Sequence, residues 1–319
     1  MKKQLSKRLG FFLTLLITNV GLSQCLASGP FNGFDINNSS IATTEIHKGG
    51  PPRDGIPSID EPVFISANQV DFLKAQDRVL GLNRNGISKA YPISIMNWHE
   101  IVNDEIAGEA VVVTYCPLCG TGVAFNAHAG DKQLSFGVSG LLYNSDVLLY
   151  DRETESLWSQ LLTRAISGPM KGTGLKLVSL QHTSWADWLK RHPQTLVLST
   201  DTGYSRDYRR DPYAGYEDSN GIYFPVSHRD PRYHPKERVL GLEIDGQFKA
   251  YPFAELSQTD GLIRDRFNGK ALSIHYDKDS HSARVYDADG RPLPGITAFW
   301  FAWVAFHPDT AVFKAAQNK

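Results

Sequence analysis

The chain has 319 residues, with 33 basic and 34 acidic side chains, a formal charge of −1 and a mean hydropathy of −0.29. That length allows one large or two ordinary domains with a sizeable core. So even a charge balance argues against nucleic acid or an anionic membrane surface as partner.

The first thirty residues differ from the rest. Lys2, Lys3, Lys7 and Arg8 precede an apolar stretch from Leu9 to Val20, followed by "GLSQCLASGP". A basic start, a short apolar middle and a small-x-small end describe a secretory signal peptide over residues 1–27, with Cys25 at −3 and Ala27 at −1 of the cleavage. The apolar part is too short for a membrane span, so no span is expected after cleavage. The alternative, a lipoprotein acylated at Cys25, is disfavoured by bulky Gln24 where that processing wants a small residue. A periplasmic or secreted protein is expected. Cleavage takes four of the 33 basic residues and no acidic ones, leaving 292 residues with 29 basic side chains and a charge of −5. Of the three cysteines, only Cys116 and Cys119 remain. An oxidising compartment tends to close such a pair unless a metal or a reductant holds it.

Residues 28–59 read as an N-terminal extension. Beyond them the chain contains itself twice. Residues 77–92, "DRVLGLNRNGISKAYP", and 237–252, "ERVLGLEIDGQFKAYP", coincide at ten of sixteen positions. The likeness continues in "NDEIAGEAVVVTY" (103–115) against "RDRFNGKALSIHY" (264–276), and in "WADWLKRHPQTLV" (185–197) against "WFAWVAFHPDTAV" (300–312). Repeat unit 1 is assigned to 60–215 and unit 2 to 216–319.

Each copy predicts strands at "RVLGL" and "KAYP", joined by the hairpin signals Asn85-Gly86 and Asp245-Gly246. In unit 1 a helix follows over Ser94–Val102, then a buried strand, "AVVVTY", and further β structure. The copy closes on a short helix, "SWADWLKRHP", capped by Ser184 with Asp187 and stopped by Pro193. The expected fold is α+β, β-rich and internally duplicated, two ββαβ-containing half-units of which the first carries a long insertion, about Ser135 to Leu180. The segment between the copies is rich in Tyr, Arg, Pro and Gly and reads as an ordered wrap. Its "RDYRRDP" (206–212) reads as a salt-bridged loop.

The second copy serves as an internal control. Trp185, Trp188 and His192 recur as Trp300, Trp303 and His307, and Tyr91-Pro92 and Asp104 also recur, which assigns them to the shared architecture. The stretch "TYCPLCGTG" (114–122) does not recur: Asp277 and Ser280 stand where unit 1 has Cys116 and Cys119. "NWHE" (97–100) faces "SQTD" (257–260), and the insertion has no counterpart. Unit 1 therefore reads as the working half.

"WHEIVNDEIAGEAVVVTYCPLCGTGVAF", with "FGVSGLLYNSDVLLYDRETESLWSQ" and "HPQTLVLSTDTGYSRDYRRDPY", resembles the bacterial and archaeal family called Domain of Unknown Function 3179, over most of the chain from about Asp60. The family name carries no activity. Through selenoprotein members, the resemblance implies redox use of the sulfur motif.

Three roles are open to the pair. A dithiol–disulfide couple would use Cys116 and Cys119 with His99 as base or cationic neighbour. No helix is expected after the motif, so the thioredoxin arrangement is excluded. The spelling C-P-x-C-G is also the knuckle of rubredoxins and zinc ribbons, and a mixed copper or zinc site would recruit His99, with Glu100 and His182 as weaker candidates. A bare staple closes too small a loop to stabilise much. In the insertion, "VLLYD-RETE-SLWSQ" predicts a hairpin projecting Tyr143, Asn144, Asp146, Asp151, Trp158 and Gln160 toward a substrate or partner cleft. Redox stands first, metal binding second and a non-enzymatic envelope interaction protein third. The partner expected is an envelope redox or metal-handling protein. No phosphate loop, G-x-S-x-G or HExxH motif appears.

Overall fold

The computed structural model describes residues 30–315; the expected signal peptide, with Cys25 and Ala27, lies outside them. After two short strands, β1 (Ile46–Lys48) and β2 (Phe64–Ser66), the chain enters the hairpin β3 (Arg78–Arg84) and β4 (Ile87–Pro92). Its turn residues Asn85 and Gly86 have φ of 49° and 81°, the left-handed geometry these residues tolerate best. Helix α1 (Ile93–His99) is shorter than expected. Glu100 swings to φ 58° and caps it, so Val102 belongs to β5 (Ile101–Ile106) rather than to the helix. Strands β5, β6 (Glu109–Cys116) and β7 (Thr121–Asn126) then pair antiparallel in succession.

The chain next forms a small hairpin ahead of the insertion, β8 (His128–Ala129) with β9 (Lys132–Gln133), which turns at Gly130-Asp131. It continues as β10 (Phe136–Tyr143), β11 (Asp146–Asp151), β12 (Leu157–Ser159), β13 (Arg164–Ser167) and β14 (Leu177–Val178). β11 and β12 pair antiparallel, Leu149 opposite Trp158, around the expected turn at 152–155. Strand β15 (Leu180–Ser184) leads into α2 (Trp185–Arg191), where the Ser184 hydroxyl accepts from the Asp187 amide at 3.3 Å, and then into β16 (Leu196–Leu198).

Residues 238–312 form β17 (Arg238–Ile244), β18 (Gln247–Pro252), α3 (Phe253–Leu256), β19 (Leu262–Phe267), β20 (Lys270–Asp277), β21 (Ser282–Tyr286), β22 (Ile296–Phe299), α4 (Trp300–Phe306) and β23 (Ala311–Val312). Leu80 pairs with Tyr91 and Gly81 with Ala90; Leu240 pairs with Tyr251 and Gly241 with Ala250. β16 lies parallel on β4 with Val197 at Ala90, and β23 lies parallel on β18 with Val312 at Ala250. The Trp188 ring covers Gly81 and the Trp303 ring covers Gly241, each so closely that a Cβ would overlap it. Their indole N–H groups donate to Thr195 at 2.9 Å and Thr310 at 3.0 Å. Lys89 and Tyr91 bond Asp104, and Lys249 and Tyr251 bond Asp265.

These strands assemble into sheets that mix both parts of the sequence. One eight-stranded sheet runs β23-β18-β17-β22-β7-β6-β5, with β14 also on β7; β22 meets β7 at Thr297 and Gly122. A five-stranded sheet, β15-β3-β4-β16-β2, a second that adds β1 to four strands of the insertion, β1-β10-β11-β12-β13, and a three-stranded β19-β20-β21 complete the larger sheets. One apolar cluster joins Phe125 and Trp158 to Phe299, Trp300 and Trp303, and both Cys116 and Cys119 lie inside it. Among the described residues no helix is long and apolar enough to cross a membrane.

Candidate functional site

The sulfur motif is the tight link between β6 and β7. Cys116 ends β6 opposite Thr121, and the Cys119 amide donates to the Cys116 carbonyl at 3.2 Å. Gly120 has φ 58°, and a Cβ there would sit 2.7–2.9 Å from carbons of the Phe299 ring. Only glycine meets both demands. The Phe299 amide donates to the Cys119 carbonyl at 2.8 Å, so β22 holds the link from outside. Both cysteines are free and buried, 2% and 0% exposed, and the pair lies at 3.7 Å.

The β10–β11 turn lies against this link. Asn144 and Ser145 adopt φ of 51° and 66°, a two-residue left-handed turn that puts Tyr143 opposite Asp146. The Ser145 carbonyl accepts from Cys119 Sγ at 3.3 Å and from Cys116 Sγ at 3.9 Å. Asp146 follows, and one of its carboxylate oxygens lies within 4.8 Å of both sulfurs. Asp146 Oδ2 accepts from the Leu161 amide at 3.2 Å, whereas Oδ1 has no partner. Ser145 Oγ and Gln160 Oε1 are likewise buried and unpartnered. The Gln160 amide donates to Thr114 Oγ1 at 2.8 Å, and Asn144 is fixed between the Ala305 carbonyl and the Ser227 amide.

Burial sets the charge state of this cluster. Loss of water pushes the Asp146 carboxyl up to about 7, against the pull of the Leu161 amide and the two thiols. Burial, then the charge of Asp146, pushes Glu100 up to about 8. The Cys116 thiol is raised and the Cys119 thiol raised well above its ordinary value, again chiefly by burial. The two thiols and Glu100 thus favour their protonated forms at neutral pH, while Asp146 sits near its midpoint. Such a group is poor in nucleophilic thiolate but rich in donor atoms that a cation could claim.

The structure brings Cys116, Cys119 and Asp146 together, with Glu100 in electrostatic reach. His99 is elsewhere engaged. Its Nδ1 donates to the Pro57 carbonyl at 2.8 Å, which leaves Nε2 to accept from the Tyr208 hydroxyl at 2.7 Å. Neither nitrogen is free to ligate or to take a proton from a thiol. Asp151 and Trp158 form a buried network, the indole donating to Asp151 at 2.8 Å alongside Thr154, rather than lining a cleft. Tyr143 packs edge-on against Phe306. The sequence groups Asp146 with the cleft residues rather than with the sulfurs; the left-handed Asn-Ser turn before it is the one local signal for its place.

No curated protein and no solved structure matches the chain. The model of the family described as "Protein of unknown function (DUF3179)" matches residues 53–310, most of the chain, and the protein belongs to that family.

Proposed function

We propose that this protein is an exported metal-binding module in which Cys116, Cys119 and Asp146 hold one zinc ion, with Glu100 as the candidate fourth ligand. The observation that carries the reading is the unpartnered, buried Asp146 Oδ1 on a carboxylate whose ligand atom sits within 4.8 Å of two sulfurs. An orphaned oxygen there is costly, and a cation relieves it. Spacing supports the same reading. Two thiolates about 2.3 Å from a tetrahedral zinc stand about 3.8 Å apart, against 3.7 Å for the cysteine pair. The oxygen donor favours zinc over a soft copper(I) ion. Full burial leaves no path for a substrate, so the ion is structural or held as cargo rather than used as a Lewis acid.

The proximity of the two cysteines also favours the dithiol–disulfide reading. It stands second because neither thiol is more than 2% exposed and burial raises both, which opposes attack by or on a partner's sulfur. The site belongs to the first unit, 60–215, of a chain duplicated into 216–319. The matching hairpin registers and the paired Trp–Gly contacts support that duplication.

Competition titration against a chromogenic zinc chelator tests the assignment. Cys119→Ser and Asp146→Asn should each weaken binding by more than the roughly 10–100-fold that loss of a mere supporting residue costs. His99→Gln should leave affinity nearly unchanged. Undiminished affinity in Asp146→Asn contradicts the site.

A further inference from the structure

A second feature lies beside the sulfur link and stands independently of whether that link holds a metal. A cavity of about 310 Å³ opens where the first residues of β3 and β17, Arg78 and Arg238, face one space. Pro117, between the two cysteines, forms part of its wall.

Four buried groups at this cavity have hydrogen-bonding capacity that nothing uses. Arg78 Nε and Arg238 Nη1 have no partner, nor do the Tyr216 hydroxyl and either ring nitrogen of His182. Tyr216 is 3% exposed and His182 4%. Leaving a buried polar group unpaired is costly, so the convergence of four points to an occupant.

Charge narrows what that occupant is. Arg238 already pairs with Glu217, at 2.6 Å. Arg78 does not: its other N–H groups donate to the carbonyls of Ser280 and His281 at 3.1 Å and of His182 at 3.2 Å. Its half-buried guanidinium is therefore a cation held by neutral acceptors. Burial, then repulsion from Arg238, lowers it to about 9. His182 is pushed well below its usual range by burial and both arginines, so its ring is neutral and offers one donor and one acceptor. At the rim, the exposed Asp211, Glu217 and Asp218 add negative charge that opposes a dianion. One uncompensated cation calls for one negative charge. Amid the polar lining, Tyr115, Tyr213 and Phe299 offer aromatic surface on which a small apolar body can rest.

We propose that this cavity binds a small organic monocarboxylate, its carboxylate on Arg78 and Arg238 and its apolar body between Tyr115, Tyr213 and Phe299. The Tyr216 hydroxyl and the His182 N–H supply the remaining donors, and a planar carboxylate suits the flat edge of a guanidinium.

Calorimetric titration of the full mature chain with benzoate and propionate, against sulfate and benzyl alcohol, tests this. At least one carboxylate should bind with Kd of roughly 1 mM or tighter, while sulfate and benzyl alcohol bind far more weakly. Arg238→Gln and His182→Leu should each weaken carboxylate binding about tenfold or more. Arg78 also clamps three carbonyls, so its loss could unfold the chain; the other two variants, checked by circular dichroism, avoid that ambiguity. Absence of carboxylate binding, equal binding of sulfate or benzyl alcohol, or carboxylate binding untouched in both variants overturns the proposal. The titration is repeated on metal-free Cys119→Ser protein, where carboxylate binding should persist. Its loss there would tie the cavity to the sulfur link and contradict the independence claimed.

Discussion

Asp146 is the oxygen donor of the proposed site, and its protonation makes a measurable prediction. Its carboxyl and that of Glu100 hold protons up to about 7 and about 8 in the folded chain, against ordinary values of 3.8 and 4.5. Between those limits the folded state binds more protons than the unfolded state. Their contribution to stability is therefore complete near pH 4 and is lost as pH rises toward 8. Metal-free protein should melt at a lower temperature at pH 8 than at pH 5, and zinc should recover more of that loss at the higher pH. Asp146→Asn should flatten the metal-free difference, and an unflattened profile would assign the dependence to other groups. The two sulfurs were legible in the sequence because the similar stretch 264–280 lacks them. Asp146 was not, since 25 residues of chain separate Asp146 from Gly120 and only the β10–β11 turn brings it back. His99 presents the opposite case. It is adjacent in sequence, but the left-handed Glu100 reverses the chain after it and its ring is satisfied by Pro57 and Tyr208.

At the scale of elements, hairpin chemistry was the most readable part of the chain. Asn85-Gly86 and Asp245-Gly246 specify left-handed turns, and the strands on either side take the registers those turns impose. The end of α1 was harder, because nothing in "NWHEIV" marks where apolar helix becomes apolar strand. The tryptophan helices supply a test of equivalence. Gly81 and Gly241 each lie under an indole with no room for a Cβ. Gly81→Ala and Gly241→Ala should each destabilise the protein by about 1–3 kcal/mol, the cost of overpacking a closed core. Denaturant unfolding would measure both. A neutral result at one position and a large loss at the other would show that the two hairpins do not play matching parts.

Across the whole molecule, the second half of the chain acts on the site without supplying its sulfurs. The Phe299 amide holds the Cys119 carbonyl, the Phe299 ring covers Gly120, and the Ala305 carbonyl fixes Asn144 beside the thiols. Phe299→Ala should cost about 3–5 kcal/mol, typical for a large core truncation, and should release zinc more readily than a destabilised variant far from β22. The repeat in the sequence foretold two similar hairpins. It did not foretell that one eight-stranded sheet would join them through Thr297 and Gly122, because strand pairing between distant segments leaves no local pattern to read. Whether the cysteines and Asp146 hold a metal is decided by elemental analysis with intact mass of protein freshly isolated from its native compartment. One zinc per chain is expected, with both thiols reduced and the zinc absent from Asp146→Asn. Metal-free protein lighter by two hydrogens, with Cys116 and Cys119 joined, would overturn the assignment.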